Sequence, residues 1–417
     1  MRISKLVAVS LLLVSCSPDV ASDSPLPVGE PESVGMTTSG LSRIRPAMQR
    51  YVDEGIFSGI VTMVARRGEL VHWEAVGYRD IEDQTLLEPN DILRICSMTK
   101  PITSVGVMML VEDGGISLDA PVSQYLPDLA RLQVYTSAGV VPPTSPVTIE
   151  DLLGHTSGLT YGLFGETPVD SLYRSEDVFS GDLENLVEEV SGLPLLGQPG
   201  SLWNYGVSTD VLGRVIEVVS GQPLDEFLKD RVLEPLGMTD TDFYVPPEKS
   251  PRLASVYVTA ADGSLERLEI SACSNGDMPQ LLSGGSGLLS TASDYVRFSQ
   301  MLLNGGELDG TRLLRPETVE LMRTNRLPEE LIPIGFGPGV DIPGYGFGLG
   351  FSVLVDADIT PVPDTDGVFR WMGYASTYFW IDPGEELIGL VMTQLEPGIH
   401  PELETEFQTL VYEAISR

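Results

Sequence analysis

Ser97 and Lys100 stand three residues apart in the stretch Arg94-Ile95-Cys96-Ser97-Met98-Thr99-Lys100-Pro101. A helix beginning at Ser97 puts both side chains on one face. A serine hydroxyl is a poor nucleophile until a base takes its proton. A lysine amine is that base only when neutral, and burial lowers a lysine pKa. The following run, Ile102 to Val111, is apolar almost all round, which predicts a helix buried on every side. Pro101 is tolerated near a helix start, where few amides have intrahelical partners. The serine then sits at the amino end, where the dipole and free N–H groups favour developing negative charge. The chain has four lysines, and of these Lys100 alone has a serine three residues before it. Taken by itself, the stretch fits equally a helix-capping serine followed by a solvated lysine.

A Ser/Lys pair needs a group to pass the proton onward and donors for an oxyanion. Tyr205, in Trp203-Asn204-Tyr205-Gly206-Val207-Ser208, either offers a phenol to a cleft or packs its loop. Gly373, after Trp371-Met372, is expected at the start of a strand. A glycine there lets a ligand approach the backbone, and a strand N–H is a possible oxyanion donor; the other reading is a bulge. His155 reads as a loop histidine bonding neighbouring backbone rather than as a base. Ser283-Gly284-Gly285-Ser286-Gly287 lacks the lysine of a phosphate loop and reads as a turn before a helix. The histidines are His72, His155 and His400, without metal-binding spacing, so no zinc site is expected. Cys96 reads as a small buried apolar residue rather than a second nucleophile. It could pair with Cys273, but nothing in the sequence brings the two together.

The elements that must position these groups fall into three regions. Near the amino end, Leu41 to Glu54 has helical spacing, and Gly59 to Arg66 and Leu70 to Gly77 read as strands joined by a tight hairpin at Arg67-Gly68. The Ser97 helix ends at Gly114-Gly115. From about residue 121 to 250 the texture changes to loops and short helices without convincing strands: Thr148 to Leu153, Leu183 to Val190, Thr209 to Val219 and Leu224 to Val232. Thr291 to Leu303 is a further helix, and Pro328 to Tyr345 a Pro/Gly-rich loop. Strands return at Phe347 to Leu354, Tyr374 to Ile381 and Leu387 to Thr393, with a turn at Asp382-Pro383-Gly384-Glu385 and a terminal helix from Glu402 to Ile415. The expected fold class is α/β (α+β). One antiparallel sheet is built from both chain ends and flanked by helices, with a mainly helical subdomain inserted at about 121–285 and the Ser97 helix at the junction. Clefts between subdomains are where small molecules usually bind.

With 417 residues, 42% hydrophobic and 20% charged, the chain is long enough for one large catalytic domain, taken as 35–415. Its formal net charge of −35 argues against nucleic acid or an anionic membrane surface as partner. Residues 1–15 read as a signal peptide, with Arg2 and Lys5 as its basic end and Leu6 to Val14 as an apolar core too short to span a membrane. Leu13-Val14-Ser15-Cys16 resembles the bacterial lipobox, which implies lipid on Cys16, a linker over 16–34 and an exported, lipid-anchored protein on the periplasmic face of the outer membrane. An ordinary signal peptide with a chance cysteine is the alternative.

Ser97-x-x-Lys100, Tyr205 after a tryptophan, and Trp371-x-Gly373 together resemble the three motifs of the serine β-lactamase and penicillin-binding protein superfamily. The likeness is greatest to its class C β-lactamase-like branch and the family VIII carboxylesterases. Leu152 to Leu159, Asp210 to Gly213, Pro235 to Met238 and Tyr378 to Pro383 also look like that branch. The resemblance implies Ser97 as nucleophile, Lys100 and Tyr205 sharing its proton, and the N–H groups of Ser97 and Tyr374 as oxyanion hole. It implies no metal or cofactor.

The departures bear on the substrate. Val207 and Ser208 follow Tyr205 and Gly206 where the β-lactamases have Tyr-x-Asn. Trp371 replaces the lysine that meets a β-lactam carboxylate, and no lysine follows Lys249. Arg370 is adjacent but points to the opposite face of a strand. Losing a charge-assisted hydrogen bond costs about 1.5–3 kcal/mol. The expectation is therefore an esterase acting on a small-molecule ester. Trp371, Gly373 and Trp203 are then substrate-binding residues, with Tyr161, Phe164 and the Pro328 to Tyr345 loop in an acyl pocket. The alternatives are a β-lactamase or D-alanyl-D-alanine carboxypeptidase, and a non-catalytic envelope protein that binds cell-wall peptide.

Overall fold

The computed structural model describes residues 24–416 except 177, 338, 339, 363, 364, 366 and 399. The expected signal peptide and Cys16 lie outside the described residues. From Ser24 onward the expected linker lies against the domain. Gly29 N–H donates to the Leu70 carbonyl and Leu70 N–H to that of Pro27, and Leu26 is buried. Among the described residues no helix is long and apolar enough to cross a membrane.

The centre is one antiparallel sheet of eight strands: β1 (Gly59–Arg66), β2 (Glu69–Asp80), β3 (Thr85–Leu86), β4 (Tyr345–Phe347), β5 (Ser352–Leu354), β6 (Phe369–Gly373), β7 (Thr377–Asp382) and β8 (Leu387–Met392). Their spatial order is β4-β5-β6-β7-β8-β1-β2-β3, so β8 and β1 join the two ends of the chain, with Val61 opposite Met392. Every residue of β1, β7 and β8 is buried. That is why these strands read as apolar runs rather than alternating patterns: helices cover both faces. The β1–β2 turn places Arg67 and Gly68 both at positive φ (53° and 79°), the geometry of a two-residue hairpin.

Five helices frame the sheet and the site: α1 (Ile44–Asp53), α2 (Thr99–Glu112), α3 (Ser208–Ser220), α4 (Ala292–Leu303) and α5 (Pro401–Glu413). Phe379 and Trp380, neighbours on β7, point to opposite faces. Phe379 meets Tyr295 of α4, with ring centroids 5.0 Å apart, and Trp380 meets Phe407 of α5 at 5.5 Å. Helices α1 and α5 pack together on the second face, as expected of the terminal helices. Helix α2 is buried from Thr99 through Leu110 and packs on α3.

Four expectations need correction. Phe347 to Leu354 is not one strand but a tight hairpin, β4–β5, because Gly350 adopts φ +93° and reverses the chain. Strand β6 was not anticipated, and Gly373 ends it rather than starting the next one. The helical middle carries two small hairpins, Val134–Thr136 with Gly139–Val141 and, just beyond it, Tyr257–Thr259 with Leu265–Arg267. Apart from the buried Val134 and Tyr257, their residues are half-buried or exposed and of mixed polarity, and such short strands give no hydrophobic period. The helix expected at Leu224 to Val232 is α-helical to Leu228 and continues as a π-turn over Lys229–Leu233.

Candidate active site

Ser97 lies in a 3₁₀ turn, Cys96–Met98, that leads into α2. Several side chains fix this turn. The Gln394 amide accepts from Arg94 N–H at 3.0 Å and donates to the Arg94 carbonyl at 3.1 Å, a side-chain substitute for strand pairing. Tyr295 Oη donates to the Met98 carbonyl at 2.9 Å, tying in α4. Leu288 N–H donates to Thr99 Oγ1 at 3.1 Å. Cys96 holds φ +45°, unfavourable for a residue with a Cβ, and is joined to Cys273 by a disulfide across 177 residues of sequence. The sequence left that pairing open; the fold makes it.

Lys100 projects from the first turn of α2 on the same side as Ser97, with Nζ 3.5 Å from Ser97 Oγ. It is 1% exposed. Burial pulls its amine down to about 7, opposed by the Asp210 carboxylate. Nζ also donates to the Gly285 carbonyl at 2.8 Å and to Tyr161 Oη at 2.8 Å. Tyr161 in turn donates to Asp210 Oδ2 at 3.3 Å. Asp210, on α3, accepts from the Gly285 N–H at 3.1 Å and from the Ser283 hydroxyl. The Gly-rich segment expected to be a mere turn therefore positions both Lys100 and Asp210.

Lys100 Nζ has three oxygen neighbours, Gly285, Tyr161 and Ser97; an ammonium donates to all three, whereas a neutral amine has N–H groups for two. A carbonyl only accepts, so Gly285 takes one N–H of a neutral amine. The Tyr161 proton goes to a carboxylate, so its oxygen takes the second. The lone pair is left for the remaining neighbour, Ser97 Oγ. Sequence reasoning placed Tyr161 in an acyl pocket and gave Asp210 no role. Neither residue type nor local spacing marks this contact, because Tyr161 reaches the amine from a loop.

Tyr205 comes to the same cleft but not to the same bond. The Lys100 Nζ sits over its ring, 4.5 Å from the centroid, and the Tyr205 hydroxyl has no hydrogen bond of good geometry among the described residues. Burial pushes its phenol well above the ordinary value, and the nearby Ser97 hydroxyl and Trp371 indole oppose that shift. Among the described residues no hydrogen bond joins Lys100 Nζ directly to the Tyr205 hydroxyl.

The cleft is lined by Ser97, Tyr205, Met372, Gly373 and Tyr374, with Phe164, Phe336 and Gly398 at its sides. Two of the expected substrate contacts, Trp371 and Trp203, are not among the residues that line it. Trp371 is 1% exposed and lies behind Tyr205, with ring centroids 5.4 Å apart. Trp203 stacks on the Tyr205 ring at 6.3 Å and packs on Phe336 and Phe347. Gly373 does border the cleft, but a Cβ there would overlap the Ile95 carbonyl and Thr377, so the glycine is needed first for seating the nucleophile turn. His155 is also corrected. Its ring is buried against Trp203, Tyr205 and Phe347, and Nδ1 has no partner among the described residues. Burial and the nearby Lys100 hold it well below the usual histidine range, hence neutral. Arg370 behaves as its strand position requires: it faces α5 and pairs with Glu404.

An eight-stranded antiparallel sheet with a serine turn and a buried lysine at its edge is the fold of serine hydrolases and acyl-transfer enzymes of the β-lactamase and penicillin-binding protein superfamily. The profile of the Beta-lactamase family matches residues 44–412, and the chain belongs to that family. Protein Rv1367c of Mycobacterium tuberculosis is 37% identical over 361 residues, covering 85% of this chain and 90% of the relative. Lovastatin esterase of Penicillium rubens is 31% identical, covering 88% and 97%. The solved structure of EstCE1, described as a hydrolase with promiscuous acyltransferase activity, superposes with a TM-score of 0.78 at 28% identity, covering 90% of this chain and 99% of that one. The chain is thus a serine hydrolase related to the carboxylesterase-type, family VIII-like members of the superfamily.

Proposed function

We propose that the protein hydrolyses carboxylic esters through an acyl-enzyme on Ser97, with Lys100 as the base. The observation that carries this reading is the Lys100 amine, pulled to about 7 with its lone pair left for Ser97 Oγ at 3.5 Å. Lys100 takes the serine proton as Oγ attacks the ester carbonyl. The N–H groups of Ser97 and Tyr374 receive the oxyanion. The proton then passes to the departing alkoxide, and water reverses the sequence to release the acid. Tyr205, whose phenol is held above its ordinary pKa, stays protonated and donates a hydrogen bond to the leaving oxygen. The division is a base near neutrality and a weakly acidic donor.

The missing lysine of the third motif weighs against β-lactams. The neighbouring cation, Arg370, is already paired with Glu404 and buried. The meeting of Ser97, Lys100 and Tyr205 in one cleft weighs against a purely binding role. The Cys96–Cys273 disulfide supports export with a lipid anchor on Cys16, since disulfides persist in oxidising compartments. The test is intact mass of the soluble domain after a fluorophosphonate, with rates on p-nitrophenyl acetate. A single adduct on Ser97, loss of turnover in Ser97→Ala and no stable penicillin adduct are expected. Equal turnover by Ser97→Ala would refute the assignment.

A further inference from the structure

A second cavity of about 180 Å³ lies behind Phe336 and Met372, and both of these residues also line the cleft at Ser97. Its far wall is α5, where Thr405 faces it, and Val362 and Tyr378 contribute apolar surface. The charged groups on its floor, Arg370 and Glu404, are buried and paired with each other. Asp341 stands at the rim. Gln408 and Tyr345 also line it, but the cation that lines it, Arg370, is already paired with Glu404, and burying a further, unpaired charge is costly.

We infer that this cavity is the subsite for the alcohol portion of the ester and selects neutral, apolar alcohols. The inference rests on the esterase reading of Ser97. The orientation follows from the cleft. With the carbonyl oxygen at the Ser97 and Tyr374 amides and the leaving oxygen facing the Tyr205 hydroxyl, the alcohol carbon points toward Phe336. The Phe336 ring packs edge-on to Tyr205 at 5.2 Å, so it stands where the alcohol must pass. At about 30 Å³ for each water-sized group, the cavity holds roughly six carbons. Each buried methylene then raises kcat/KM about fourfold.

The experiment compares alkyl acetates from methyl to octyl, followed by acid release, in the wild type and in Thr405→Phe, which fills the cavity from α5. The wild type should gain about fourfold per methylene up to about six carbons and then level off. Thr405→Phe should flatten that rise. The readout is the hexyl-to-methyl ratio, so a reduced folded fraction cancels. A p-nitrophenyl series from acetate to octanoate should show the same acyl dependence in both proteins. A flat wild-type series, an unchanged ratio in Thr405→Phe, or an effect confined to the acyl series would overturn the subsite. A thermal shift with 1-hexanol reads the cavity without turnover. If 1-hexanol stabilises the wild type but not Thr405→Phe while no ester is cleaved, the cavity binds an apolar alcohol but the esterase reading falls. Cleavage without that shift has the opposite meaning.

Discussion

The Lys100 amine donates to the Tyr161 hydroxyl at 2.8 Å, and no such bond to Tyr205 is found among the described residues. Because Tyr161 also donates to Asp210, its oxygen is held as an acceptor, and a neutral Lys100 amine then has its lone pair free for Ser97. Tyr161→Phe removes that acceptor without opening a large void. The expected outcome is a fall in kcat of about 10- to 100-fold on p-nitrophenyl acetate with KM little changed, the scale of losing a general-base alignment. A tenfold rise in KM with unchanged kcat would instead place Tyr161 in substrate binding.

The pH profile follows from the same amine. Lys100 acts as base only when neutral, so kcat/KM on a neutral ester should rise through a midpoint at about 7. The Asp210 carboxylate favours the ammonium form. Asp210→Asn therefore makes the proton easier to lose, and the midpoint should move to lower pH. Rates on p-nitrophenyl acetate between about pH 5 and pH 9, corrected for uncatalysed hydrolysis, read the direction. A shift to higher pH would mean that the Asp210 carboxylate does not stabilise the ammonium form of Lys100.

The parts of this site legible in the sequence are those whose physics is local. The helix behind Ser97 and strand β1 are legible from their apolar runs, but the Ser97 stretch alone fits two readings and needs Tyr205 and Trp371-x-Gly373, far along the chain, to favour one. The rest depends on contacts that no window of sequence contains. Tyr161 comes 61 residues after Lys100, and Cys273 lies 177 residues from Cys96. Trp371 shows a subtler limit. By resemblance its position in the third motif is that of a substrate contact, but its ring is turned in behind Tyr205, where Phe336 and Phe347 also pack on it. The short hairpin strands are not legible because each buries a single residue at most, Val134 in one hairpin and Tyr257 in the other, too few to impose alternation.

The disulfide is testable apart from catalysis. Closing a long loop by a cross-link stabilises a fold by typically 2–4 kcal/mol. Cys273→Ser should therefore unfold at lower urea concentration by an amount worth roughly 2–5 kcal/mol, and dithiothreitol should bring the wild type down to the same midpoint. Thiol titration of the denatured, unreduced soluble domain should find neither Cys96 nor Cys273 free. A wild type that is indifferent to reductant while yielding two thiols would show the pair to be unlinked in solution.

The buried lysine also makes stability depend on pH, with a sign opposite to that of a salt-bridged lysine. Its folded pKa, about 7, lies below the ordinary 10.5, so between those values the unfolded chain binds the proton that the folded protein has released. The unfolded state then holds more protons, and stability from this group rises with pH across that window. Below about pH 7 both states are protonated and the gain is absent. Lys100→Met has no such titration. Relative to Lys100→Met, the wild type should gain about 2 kcal/mol between about pH 7 and pH 9, at 1.36 kcal/mol per unit once the amine is mostly neutral. Urea unfolding of both proteins at the two pH values measures the difference. Its absence would mean that Lys100 keeps its charge in the folded protein, and the proton acceptor for Ser97 would have to be sought elsewhere in the cleft.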